Sequence, residues 1–199
     1  MQTTTLLTPA VPQPPTTLPK EKLLTGAEAL TLGITQPFEL VKGKIIYMDY
    51  TGDEHGIIES EIARHLGNFV VTRHLGWVLT GEVGLYTQRA PDTVRGVDVI
   101  VISRQRLAAP SGKALQVAPE LVVEIVSPSD RWSELRNKIA EYFAIGVERV
   151  WIVEPEKKQL LVYRTPTEFT QLTQQESVRG EGILEGFTLP LHELFAALP

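Results

Sequence analysis

The stretch "LVVEIVSPSDRWSELRNKIAEYFAIGVERVWIVE", residues 121–154, decides the fold. Leu121 to Val126 is apolar at nearly every position, as a strand covered on both faces must be. Ser127-Pro128-Ser129 stops it, with Ser129 or Asp130 placed to cap the next element. A helix is expected from about Ser133 to Ile145, with Leu135, Ile139 and Tyr142 on one face and Gly146 closing it. A second apolar strand, "ERVWIVE", comes next, with Trp151 in the core. Strand, helix and strand over this length make a parallel crossover.

Working outward, the neighbouring segments pair antiparallel. "FELVKGKIIYMD", residues 38–49, reads as a hairpin turning at Lys42-Gly43, and "QLLVYR", residues 159–164, returns from a tight turn at Pro155 to Lys158. Gly76 to Gln88 and Gly96 to Ser103 supply further strands. "TGDEHG", residues 51–56, is expected as a loop before a helix of about Ile57 to Arg73, where Ile58, Ile62, Leu66, Phe69 and Val70 recur at helical spacing. Thr25 is placed to cap a short helix in "LTGAEALTLG", residues 24–33. The tail "GEGILEGFTLPLHELFAAL", residues 180–198, offers a last strand and a helical turn. The class is α/β (α+β) with a mixed central sheet flanked by helices, in one domain over residues 21–199. Residues 1–20, rich in Thr and Pro, are expected to form a flexible arm.

Composition narrows the function. A hydrophobic fraction of 43% and a charged fraction of 22% are those of a soluble globular chain, and no apolar run is long enough for a membrane span. The N-terminus lacks the pattern of a signal peptide, and the absence of cysteine excludes disulfides and thiolate metal sites and fits the cytoplasm. The net charge of -5 argues against a broad basic surface but leaves room for a local basic groove.

Four polar residues stand where the pattern expects apolar ones. Asp98 interrupts "VDVIV", Glu124 interrupts "LVVEIV", and Lys138 shares its helical stripe with Leu135, Ile139 and Tyr142. Glu59 follows His55 by four residues near the buried edge of the first long helix. Taken singly, each has an ordinary explanation: a solvent-facing strand acid, a snorkelling lysine, a surface His–Glu pair, or an acid neutralised by Arg95 or Arg136. Together, two carboxylates on separate strands and a lysine on the intervening helix point to one site. Carboxylates that repel there are reconciled by a divalent cation, and oxygen ligands favour Mg²⁺ or Mn²⁺. A lysine beside such an ion orients or deprotonates water and stabilises the charge that develops in phosphodiester hydrolysis. No nucleophile elbow or phosphate-cradling glycine loop competes with this reading, and Pro91-Asp92 is expected in a loop ahead of its strand.

Three blocks, "PDTVRGVDVIVISRQRL", "APELVVEIVSPSD" and "RNKIAEYFAIGVERVWIVEPEKKQLLVYR", resemble the Uma-type restriction endonucleases of the PD-(D/E)XK nuclease superfamily. "FELVKGKIIYM" and "EHGIIESEIARHL" extend the resemblance over about residues 22–195. It implies a restriction-endonuclease-like core, a DNA substrate and a Mg²⁺- or Mn²⁺-dependent site. Asp98 and Glu124 fall on the two acidic metal ligands. The superfamily lysine two residues after the second acid is replaced by Val126, which implies a lysine relocated to Lys138. Glu59 resembles the helix carboxylate that some members add to the metal shell, and His55 stands where the family often has His. Val97 replaces the usual proline before the first acid. The resemblance also admits a catalytically weak relative that binds nucleic acid or a protein partner, and pairing into a homodimer, as cutters of both strands often do.

Overall fold

A computed structural model describes residues 22–198; the expected arm at residues 1–20 lies outside them. In chain order the elements are α1 (Gly26–Leu30), β1 (Phe38–Val41), β2 (Lys44–Tyr47), α2 (Asp53–Thr72), β3 (Gly76–Gln88), β4 (Thr93–Ser103), β5 (Leu121–Ile125), α3 (Trp132–Ile145), β6 (Arg149–Glu154), β7 (Gln159–Tyr163), β8 (Phe169–Thr173), β9 (Ser177–Arg179), a 3₁₀ turn (Gly182–Leu184), β10 (Thr188–Pro190) and α4 (Leu191–Leu194). The order across the main sheet is β2-β1-β4-β5-β6-β7-β8, with β3 also pairing with β4. Within it β5 and β6 are parallel across the α3 crossover, and every other pair is antiparallel. The mixed sheet flanked by helices is the architecture expected from residues 121–154.

Both faces of the central strands are covered, which is why most of their residues are apolar. On one side Ile58, Ile62, Leu66 and Val70 of α2 pack on Val99, Val101, Leu121 and Val123. On the other Leu135, Ile139 and Tyr142 of α3 pack on Ile100, Val122, Val150 and Ile152. Each buried aliphatic side chain contributes roughly 1.5–3 kcal/mol, so the two helices are held mainly by these stripes.

Several local boundaries differ from the sequence expectation. Helix α2 starts at Asp53, inside the expected loop, and its N-cap Gly52 has no side chain to bond the first turn. Asp53 and Glu54 there complement the helix dipole, so acidic residues stand in for a cap. Helix α3 also lacks a side-chain cap: Arg131 is its N-cap, and Asp130 instead accepts the Ser127 N–H at 2.7 Å in a local turn. Thr25 does cap α1, in a reciprocal box with Glu28, and Gly146 closes α3 at φ 98°.

Candidate active site

Strand β4 positions the site because its two edges are used differently. Strand β3 pairs along one edge from Ser103 to Thr93. On the other edge β1 pairs at Val94 and β5 at Val99 to Val101, leaving Arg95 to Asp98 between them. Side chains reach into this interval: Glu39 Oε1 accepts the Gly96 N–H at 3.2 Å, and Asp98 Oδ2 accepts the Ile125 N–H at 2.6 Å. The β4–β5 register ends at Val99↔Val123, one residue short of Asp98 and Glu124. Both acids line one cleft of about 280 Å³, together with His55, Glu82 and Lys138.

The edge facing β3 contributes as well. The β3–β4 register jumps from Thr80↔Val99 to Val83↔Val97, so Gly81 and Glu82 together stand opposite Asp98. Gly81 at φ 84° and Glu82 at φ 57° form this bulge, a device that re-aims a side chain. Glu82 is exposed as a residue, yet its carboxylate lies over Gly96 and the residue lines the cleft. Glycine at position 96 leaves room for this carboxylate, since a Cβ there would meet Glu82 Oε2. Burial first, then the charge of Asp98, pushes the Glu82 carboxyl up to about 7.

Lys138 arrives from α3 between two acids: its Nζ lies 2.9 Å from Glu39 Oε1 and 3.5 Å from Glu124 Oε2. Burial works against the ammonium, but Glu124 and Glu39 outweigh it and raise its pKa, so Lys138 stays charged. As an ammonium it can stabilise negative charge but cannot take a proton from water, which narrows the sequence expectation. Glu124 is pushed up to about 8, chiefly by burial, with Lys138 opposing. Its Oε1 accepts the hydroxyl of Tyr142. His55, 7% exposed, places Nε2 3.3 Å from Asp98 Oδ2, while its Nδ1 is buried without a partner. Burial again opposes the charged ring, yet Asp98, Glu59 and Glu82 prevail and raise its pKa.

Asp98, Glu124, Lys138 and His55 are thus brought together, and Glu59 is not. Its Oε1 accepts the Gly81 N–H at 2.9 Å, which braces the bulge from α2, and it does not line the cleft. Arg95 pairs with Glu39 at 2.8 Å and with Glu141 at 2.6 Å, so it neutralises other acids than Asp98 and Glu124. Asp92 of the literal Pro-Asp pair accepts the Gly26 N–H at 2.8 Å, a capping contact on α1. Glu39 and Glu82 join the candidate site without having been singled out in the sequence. Glu39 carried a signal, an acid between Phe38 and Leu40 in a strand, whereas the bulge behind Glu82 left no mark on the apolar pattern.

The donor set suits a hard divalent cation. Carboxylates outnumber the cations in the cleft, and all but His55 offer oxygen. Among the described residues no three His, Asp or Glu side chains form a ready cage. An ion here would complete its shell with water and substrate oxygens, as Mg²⁺ does when held by one or two carboxylates.

No curated protein matches the chain. Among solved structures, a protein described as a putative nuclease belonging to DUF820 from Anabaena variabilis superposes with a TM-score of 0.75 at 21% identity, covering 87% of this chain and 98% of the other. Among the described residues no helix is long and apolar enough to cross a membrane. The family model described as "Uma2: Putative restriction endonuclease" matches residues 28–192. A match over that much of its length makes the chain a member of the Uma2 family.

Proposed function

We propose that the protein is a metal-dependent endonuclease that hydrolyses DNA phosphodiester bonds, using Mg²⁺ or Mn²⁺. The observation that carries this reading is the convergence of Asp98, Glu124 and a charged Lys138 in one cleft of an Uma2 chain. Asp98 and Glu124 would hold the cation, which supplies Lewis-acid stabilisation of the phosphate and an acidified water. Water attacks phosphorus, one P–O ester bond breaks, and the departing oxygen takes up a proton as the attacking water releases one to solvent. Lys138 faces the negative charge that grows on the phosphoryl oxygens. His55 fixes Asp98 through Nε2, and Glu59 acts indirectly by holding the bulge that carries Glu82. The place of action is the cytoplasm, and two copies paired as a homodimer would bring two such clefts to the two strands of a duplex.

A lysine directed into solvent would favour a DNA- or protein-binding relative that does not cut. The Lys138 side chain is only 15% exposed and lies between two acids, which supports hydrolysis. The test is incubation of plasmid and oligonucleotide DNA with the protein and Mg²⁺ or Mn²⁺. Metal-dependent cleavage lost in Asp98→Asn and Glu124→Gln is the expected result; binding without cleavage would establish the other reading.

A further inference from the structure

The two acids beside Lys138 are not equivalent partners. At 2.9 Å the contact with Glu39 is a full charge-assisted hydrogen bond, whereas at 3.5 Å the contact with Glu124 is mainly Coulombic. Glu39 is 4% exposed and is fixed independently of the lysine. Arg95 Nη1 donates to its Oε2 at 2.8 Å, and the Gly96 N–H donates to its Oε1. Arg95 is held in turn by two bonds to Glu141, at 2.8 and 2.6 Å, and Thr87 bonds Glu141 from β3. The acid that draws the lysine thus stands on a braced platform spanning β1, β3, β4 and α3.

A lysine ammonium and a divalent cation compete for the same carboxylate. We propose that Glu39 is a positioning residue of the hydrolytic site, drawing the Lys138 ammonium off Glu124 and so leaving the Glu124 carboxylate available to the cation. The inference rests on the metal-dependent reading above. Without the Glu39 charge the ammonium closes on Glu124, the other acid within 4 Å of it, and the cation meets an acid already neutralised. Glu39→Gln removes the charge at nearly constant shape. Its amide oxygen can accept from Arg95 while its NH2 meets the Gly96 N–H, a cost common to backgrounds with and without the lysine, so comparing the two isolates the effect.

The experiment measures Mn²⁺ binding to the full chain by titration calorimetry, with thermal melts confirming that each variant is folded. In the wild-type background Glu39→Gln is expected to weaken Mn²⁺ binding about tenfold. In the Lys138→Met background the same change is expected to cost less than about threefold, since no ammonium remains to be held back. Lys138→Gln, which keeps a hydrogen bond to Glu39, serves for that arm if Lys138→Met does not fold. Equal losses in both backgrounds mean that Glu39 matters through charge or the Arg95 platform alone, and overturn the proposal, as does no loss in either. Wild-type protein that takes up no Mn²⁺ overturns the metal-dependent reading itself, and this inference with it. Wild-type binding that ignores Glu39 overturns only the inference.

Discussion

Asp98 accepts the backbone N–H of Ile125 at 2.6 Å, which ties the first acid to the residue immediately after the second. The spacing of Asp98 and Glu124 is therefore built into the sheet and does not wait for a ligand. Asp98→Asn keeps an acceptor for Ile125 and should fold normally while losing at least about 100-fold in cleavage. Asp98→Ala should lose as much activity and also about 1–3 kcal/mol of stability, because a buried N–H is left unsatisfied. Parallel plasmid-cleavage assays and denaturant melts separate the two effects.

Stability without metal should depend on pH in a defined direction. Glu82 and Glu124 are raised from an ordinary 4.5 to about 7 and about 8, so the folded state holds more protons than the unfolded one between those limits. Their contribution is complete below about pH 4.5 and is lost as pH rises through about 7 and about 8. His55, also raised, acts in the same sense. The melting temperature of the metal-free protein should fall between about pH 5 and pH 8, and Mn²⁺ should restore it at the upper end. Glu124→Gln should flatten the slope and melt higher than wild type at pH 8. A metal-free melting temperature that climbs over this range would contradict the assignment.

Gly96→Ala tests the bulge without touching a charge. The new methyl would meet Glu82 Oε2, the far end of a flexible side chain, so the carboxylate should swing away while the strands stay paired. We expect a change in melting temperature of a few degrees at most and about a tenfold loss of cleavage. If activity is unchanged, Glu82 has no part in the reaction.

Arg95 bridges Glu39 and Glu141 and is 9% exposed. Arg95→Met leaves Glu141 without its cation and Glu39 with Lys138 alone, and should cost about 3–5 kcal/mol, read from urea melts. Arg95→Lys should recover only part of this, since one ammonium cannot reproduce the paired bonds to Glu141.

The crossover from Leu121 to Glu154 was legible because its strands are buried on both faces and its helix carries one apolar stripe. The same contrast exposed Asp98, Glu124 and Lys138, since a polar residue is conspicuous only against an apolar background. Glu39 broke the pattern in the same way but sat in a short hairpin strand, where an acid is unremarkable. Glu82 was invisible for a different reason: its approach to Asp98 depends on two residues standing against one in the β3–β4 ladder, a matter of register between segments. Glu59 was legible only as an acid on the helix edge, a place compatible with facing either the acids or the bulge, and the structure puts its Oε1 on the Gly81 N–H.

Helix α3 brings Lys138 to the cleft, the Tyr142 hydroxyl to Glu124 and the Glu141 carboxylate to Arg95, while Asp98 and Glu124 belong to strands. The site thus has two separable halves, one set in the sheet and one riding on a helix held by Leu135, Ile139 and Tyr142. A chain whose strands have paired but whose helix has not docked would carry both acids without Lys138. The candidate site is therefore complete only when α3 is packed on the sheet.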